Sequence, residues 1–356
     1  MIRFADIDPR PRRAADSSYG IGIVGCGGIV NYAHLPAYRA SDLRVIGCYD
    51  RDGEAASATA ARHELPRVYD SLDALLADDA VQIVDIAVPA AQQRGIAERA
   101  LAAGKHLLCQ KPLAEELVDA RAIIAAARAA GKCAAVNQQM RWSAGIAAVK
   151  QLIAGGAIGR PTDAQILVST ATPWHLWPWL RVAPRLDVMY HSIHYIDSMR
   201  YLFGDPAWVT ASHTRYPEQP EIAETKTVAV LDYDDGLQAL IAVNHHDHSG
   251  DPSATFRFLG TDGAIDGTIG LLYNYPDGRA DTVRYKAHAA QVWEERALET
   301  LWIPDAFLGP MASLMEAIAG DDPPITDVAE NLGTLQCVHA AYIAAAERRS
   351  VSPASL

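Results

Sequence analysis

The stretch "YGIGIVGCGGIVNYAHLPAY", residues 19–38, constrains the fold more than any other. An apolar run reads as a strand, Gly25, Gly27 and Gly28 follow at once, and a helix-compatible segment comes next. Glycine permits a tight turn and close backbone approach, so a pyrophosphate can rest on the N-terminus of the helix. Strand, glycines and helix in this order are the setting that a dinucleotide fingerprint requires. Val30 occupies the third glycine position of the pattern, and Gly28 is an extra glycine before it. Asp50 ends the next apolar run, "VIGCYD", about 20 residues on, where a carboxylate holds the adenosine ribose hydroxyls. A carboxylate there repels a 2′-phosphate, which favours NAD. Arg51 beside it can receive that phosphate, so NADP stays open. Asp50 can also be read as a plain helix cap, but the strand–glycine–helix–strand–acid order outweighs that.

The same alternation continues to about Asn137. Runs such as "VQIVDIAVP", "KHLLCQ" and "CAAVNQ" have strand length, and alanine-rich helical segments lie between them, two ending on Gly104 and Gly131. Continuous apolar strands separated by helices indicate a parallel sheet covered on both faces. After residue 155 the pattern changes to strand-like alternation, in "TDAQILVS", "KTVAVLDYDDGLQALIAVNHH" and "ATFRFLGTDGAIDGTIG", with an Asp-Gly turn suited to a hairpin. A helix-rich insert covers roughly 184–202, and helices return at 308–319 and 328–347. The expected architecture is α/β: an N-terminal Rossmann domain over 19–138, then an α+β domain over 139–356 with a mostly antiparallel open sheet. Residues 1–18 read as a mobile or partner-clasping arm.

Composition excludes some classes. The 356 residues carry 31 Lys and Arg against 43 Asp and Glu, a formal charge of −12, with no basic run. Nucleic acid and anionic membrane surfaces are poor partners for such a chain. No window approaches the ~20 apolar residues of a membrane-spanning helix. The Arg12-Arg13 pair would need an apolar segment next to act as an export signal, and the run that follows is the glycine motif. Five scattered cysteines without metal-type spacing fit free thiols in a reducing cytoplasm.

The strand "LLCQ" stops on Gln110, Lys111 and Pro112. In an open parallel sheet, ligands bind beyond the carboxyl ends of the strands. Lys111 is therefore delivered as a cation to a ligand cleft, and its neighbour Gln110 points the other way. A solvated loop lysine is the bland alternative.

Together "GIVGCGGIV…HLPAY", "CYDRD", "AGKHLLCQKPLA", "NQQMRWSAG", "GAIGRP", "HYIDSMRYLFGDP", "FRFLGTDGAI" and "GPMASLMEAIAG" resemble the Gfo/Idh/MocA family, glucose–fructose oxidoreductase and inositol dehydrogenase among its members. The resemblance spans about residues 20–350. It implies NAD(P)-linked oxidation of a secondary alcohol on a sugar, cyclitol or related polyol, with Gly25, Gly27, Gly28, Ile29, Val30, Asp50, Arg51, Pro89, Gln110 and Lys111 at the cofactor. The family's usual Glu-Lys-Pro is Gln110-Lys111-Pro112 here, and Ala90 and Gln93 stand where Asn and His are common. Aligned through "YIDSMRYLFG", the family's histidine is His194 and its later acid Asp197, while Tyr190 occupies the place of the earlier aspartate.

On an α-helix Asp187, Tyr190, His191 and His194 share one face, which offers His194 as general base with Asp187, Tyr190 and His191 as orienters. Lys111 then stabilises negative charge on the substrate oxygen. Lys111, Arg141, Trp174, His191 and His194 are the candidate substrate contacts. "HSIH" and "HHDHSGD" read as substrate hydrogen-bonding groups rather than metal ligands, so no metal is expected. Two other functions stay open: redox-assisted elimination or deglycosylation with tightly held NAD, and a non-catalytic sensor of NAD and sugar. The open sheet needs a cover, which points to a homo-oligomer, a dimer or tetramer.

Overall fold

The computed structural model describes residues 4–356. It separates into two compact units. One combines residues 11–139 with 303–332; the other combines 4–10, 140–302 and 333–356.

The first unit is built on five parallel strands: β1 (Ile21–Val24), β2 (Val45–Tyr49), β3 (Ile83–Ile86), β4 (His106–Gln110) and β5 (Ala134–Asn137). Their order is β2-β1-β3-β4-β5. β1 and β3 are buried at every position; β1 is apolar throughout, and β3 is apolar apart from Asp85. Helices Gly53–His63, Ala90–Ala102 and Leu117–Ala130 connect the strands. Asp52 caps the first of them through Glu54 N and Ala55 N, and Gly131 ends the last with φ +61°. Asp50, read above as a possible cap, is thereby relieved of that task.

The compact units are not contiguous in sequence. Residues 303–332 return to the parallel-sheet unit, where Val136 N donates to Thr326 O at 2.8 Å. That contact covers the outer edge of β5, which is otherwise a row of unpaired backbone groups. The N-terminal segment also differs from a free arm. From residue 4 it packs on its own chain: Phe4 and Ile7 are buried, Asp8 N donates to Gln151 Oε1 at 3.0 Å, and Gln151 Nε2 donates to Asp8 O at 2.7 Å. Residues 1–3 of that expected arm lie outside the described residues.

The second unit carries eight strands: β6 (Pro161–Ser169), β7 (Trp208–Thr214), β8 (Lys226–Asp232), β9 (Gln238–Asn244), β10 (Ser253–Gly260), β11 (Gly263–Thr268), β12 (Thr282–Ala287) and β13 (Glu294–Ala297). They run in the order β13-β12-β11-β10-β6-β9-β8-β7, antiparallel except for the β6–β9 pair. Burial alternates along β8, β9 and β10, so one face is core and the other open. Leu167 and Val228 stand exposed on it, Val228 by 49%. Helices Ala144–Ala154 and Ile193–Phe203 belong to this unit.

Candidate active site

In the parallel-sheet unit the glycines do what their spacing predicts. Gly25 has φ +97°, and a Cβ there would sit 2.4 Å from the Ala87 carbonyl oxygen, so only glycine fits the turn. A Cβ at Gly27 would meet nothing within 4 Å, so the backbone there borders open space. Val30, in the third glycine position, is fully buried and packs as core. Asp50 is tied to this loop: its Oδ2 accepts from Cys26 N at 2.8 Å and its Oδ1 from Asp52 N at 2.9 Å. The carboxylate is thereby fixed at the end of β2, beside the turn.

At the end of β4, Lys111 is half-buried, and burial lowers its ammonium to about 8. Gln110 is a support. Its Oε1 accepts from Lys111 N at 2.7 Å, and its Nε2 faces His34 Nε2 at 3.2 Å. Asn137 directs its own amide nitrogen at the same ring atom, 3.2 Å away. With two donors aimed at it, His34 Nε2 is the acceptor, and its Nδ1–H donates to Asp85 Oδ2 at 2.7 Å. Tyr38 OH donates to that oxygen as well, at 2.7 Å. Below the turn, the fully buried Gln93 donates to Gln110 O (2.8 Å) and Pro112 O (2.7 Å). His34, Asp85 and Gln93 are thus the supports of the strand tip. Sequence reasoning noted Gln93 only as a departure and passed over Asp85, although a buried aspartate inside "VQIVDIAVP" was itself a signal.

In the antiparallel-sheet unit the expected four-residue face is split. Residues 187–192 form a π-helical turn, and α-helical spacing begins only at Ile193. The wider turn brings i and i+5 together, and Ser192 Oγ donates to Asp187 Oδ1 at 2.8 Å. Asp187 Oδ1 also lies 2.8 Å from His245 Nε2, both side chains being fully buried, and 3.8 Å from His191 Nδ1. Burial raises the Asp187 carboxyl, but the charge and hydrogen bond of His245, with the hydroxyls of Thr227 and Ser192, outweigh it and hold the group below its usual range. Tyr190 turns to the apolar cluster of Trp174, Leu180 and Leu186, with its ring 5.1 Å from that of Trp179. His194 is buried, edge-on to Trp302 at 5.3 Å.

Two candidate substrate contacts need correction. Arg141 is buried, and its Nε and Nη2 make a bidentate pair with Asp197 at 2.7 Å each. Thr334 Oγ1 donates to Asp197 Oδ1 at 2.8 Å. The guanidinium and the family's later acid are therefore paired with each other. Trp174 is buried in the apolar cluster with its ring 4.8 Å from His245, which makes it a wall rather than an exposed platform for sugar. His245 was read only as part of "HHDHSGD"; what sequence reasoning missed is its pairing with Asp187, 58 positions away.

A strand-to-helix glycine turn with an acid beside it, on a parallel sheet of this order, defines a dinucleotide-binding Rossmann domain joined to an antiparallel-sheet domain. Residues 19–138 match the family described as "Oxidoreductase family, NAD-binding Rossmann fold", and 146–266 match the GFO/IDH/MocA C-terminal domain. The chain belongs to the Gfo/Idh/MocA oxidoreductases, and its cofactor is NAD. It is 28% identical over 345 residues to D-apiose dehydrogenase of Paraburkholderia graminis, covering 94% of this chain and 89% of that one. It is 29% identical over 258 residues to 1,5-anhydro-D-fructose reductase of Ensifer adhaerens, covering 70% and 74%. A solved oxidoreductase from Agrobacterium radiobacter, in complex with NAD+, L-tartaric acid and magnesium, superposes with a TM-score of 0.85 at 25% identity, over 95% of this chain and 99% of that one.

Proposed function

We propose that this chain oxidises a secondary alcohol of a sugar, cyclitol or related polyol. Bound NAD would supply the hydride acceptor. His194 accepts the hydroxyl proton, and Lys111 donates to the substrate oxygen while charge develops on it. The observation that carries this reading is Lys111 itself. It stands at the carboxyl end of β4, buttressed by Gln110, Gln93 and His34, with its ammonium lowered to about 8. The names of the relatives above, a D-apiose dehydrogenase and a 1,5-anhydro-D-fructose reductase, support the sugar class. Screening sugars, sugar acids and cyclitols for NADH fluorescence tests the reading. Sugar conversion without net NADH would favour redox-assisted elimination instead, and binding without turnover a sensor.

Asp50, locked at the end of β2, supports NAD over NADP. Titration of both cofactors against intrinsic fluorescence should show the tighter complex with NAD; the reverse order would mean that Arg51 outweighs Asp50. The open face of the eight-stranded sheet supports self-association of the antiparallel-sheet unit, read by light scattering against a 38.4 kDa monomer. Among the described residues no helix is long and apolar enough to cross a membrane. The five cysteines are free thiols, which supports a cytoplasmic setting.

A further inference from the structure

We propose that the antiparallel-sheet unit binds one first-row divalent cation, zinc above all, between Asp187, His191 and His245. From sequence, "HSIH" and "HHDHSGD" read as substrate contacts rather than metal ligands; the fold brings one histidine of each to Asp187. Two of the donors stand four residues apart on the π-helical turn, and the third directly follows β9. Their ligand atoms all lie within 4.8 Å of one another.

The spacing suits a metal. Bonds of about 2.0–2.1 Å in a tetrahedral arrangement hold neighbouring ligand atoms about 3.3 Å apart. Asp187 Oδ1 lies 2.8 Å from His245 Nε2 and 3.8 Å from His191 Nδ1, so the two separations bracket that value. Shifts of about half an ångström bring these two to it, and the two imidazoles' ligand atoms lie within 4.8 Å of each other. Two imidazoles and one carboxylate form the donor set of catalytic zinc sites, in which a fourth position stays open. Magnesium and calcium prefer oxygen alone. The half-buried His191 marks the side from which an ion and an oxygen ligand can enter.

The surroundings suit an ion better than a bare hydrogen bond. Asp187 is fully buried, and its Oδ2 has no hydrogen-bond partner among the described residues. Ser192 and His245 both bond to Oδ1 and leave Oδ2 without a bond; a cation beside the carboxylate accounts for that oxygen. His245 is held from behind, its Nδ1 lying 2.7 Å from Thr172 Oγ1, which keeps Nε2 turned to Asp187. Metal-bound histidines are oriented in this way by an outer hydrogen bond. Trp174 closes one side of the same ring.

The inference does not rest on the proposed reaction, because binding can be read without substrate. The full chain, stripped with a chelator and shown by circular dichroism to remain folded, is titrated with Co²⁺ for visible ligand-field absorption and with Zn²⁺ by calorimetry. A single equivalent of each is expected. His191→Gln, Asp187→Asn and His245→Gln should each weaken binding on the order of 10²-fold, and Thr172→Val about tenfold. A His246→Gln/His248→Gln double variant, altering the pair packed around Tyr216, should bind as the parent does. Should the buried variants fail to fold, His191→Gln and Thr172→Val decide. Absence of the absorption band, or uptake that survives His191→Gln and is lost in the His246/His248 variant, would overturn the site.

Discussion

The tip of β4 and the turn at 187–192 both end an apolar stretch on polar side chains, yet they are built in opposite ways. At the strand tip, Gln110 ends a regular strand and Lys111 directly follows it, and local supports hold them: Gln93 from the preceding helix and His34 from the glycine loop's helical run. At the turn, the regular period fails. The wider π-helical winding parts Tyr190 from Asp187 and hands Asp187 to His245, on a distant strand end. A site set by period and strand direction is robust to sequence drift around it, whereas one set by a local insertion in the helix depends on what it meets across the fold.

The comparison breaks first at His194. Its replacement by alanine should lower kcat about 10²–10⁴-fold with NAD affinity nearly unchanged. A larger loss in His191→Ala than in His194→Ala would move the base onto the irregular turn. Lys111→Ala should lower kcat on the order of 10²-fold. Because burial holds the Lys111 ammonium at about 8, it is protonated below that pH and neutral above it. The activity should therefore decline as pH rises through about 8, and Lys111→Arg, which keeps its charge there, should flatten that limb.

The buried pair gives a test of stability instead. Asp197→Ala leaves Arg141 as an uncompensated charge, a loss of about 3–5 kcal/mol in denaturant unfolding. Little change would mean that the pair does not hold this core together. The smallest effect belongs to Gln110→Glu, which restores the common family residue. It keeps an acceptor for Lys111 N and loses the amide donor to His34, so NAD affinity should shift modestly and turnover stay within about tenfold. Abolished turnover would exchange the roles of Gln110 and Lys111.

What was legible in the sequence was what period and composition encode. Parallel strands read as unbroken apolar runs, the glycines as a turn, and Lys111 as a strand end; none of these needs a distant partner. Nothing in "DVMYHS" distinguishes a π-helical from an α-helical turn, so Asp187, Tyr190, His191 and His194 were placed on one face by a period that begins only at Ile193. Arg141 and Asp197 were separately visible as polar residues in apolar company, but their pairing spans 56 positions. Trp174 had the right chemistry for a sugar platform and the wrong burial, which composition cannot report.

The return of residues 303–332 to the edge of β5 has a consequence for biosynthesis. While the chain emerges from the ribosome, all five parallel strands are complete by Asn137, yet the backbone that shields the last of them is made only after the entire eight-stranded sheet. Throughout that interval the nascent nucleotide-binding half presents a bare strand to any neighbour able to pair with it. A gene fragment cut at residue 138 would make that exposure permanent, so separating the halves of this enzyme requires carrying the 303–332 segment across with the first.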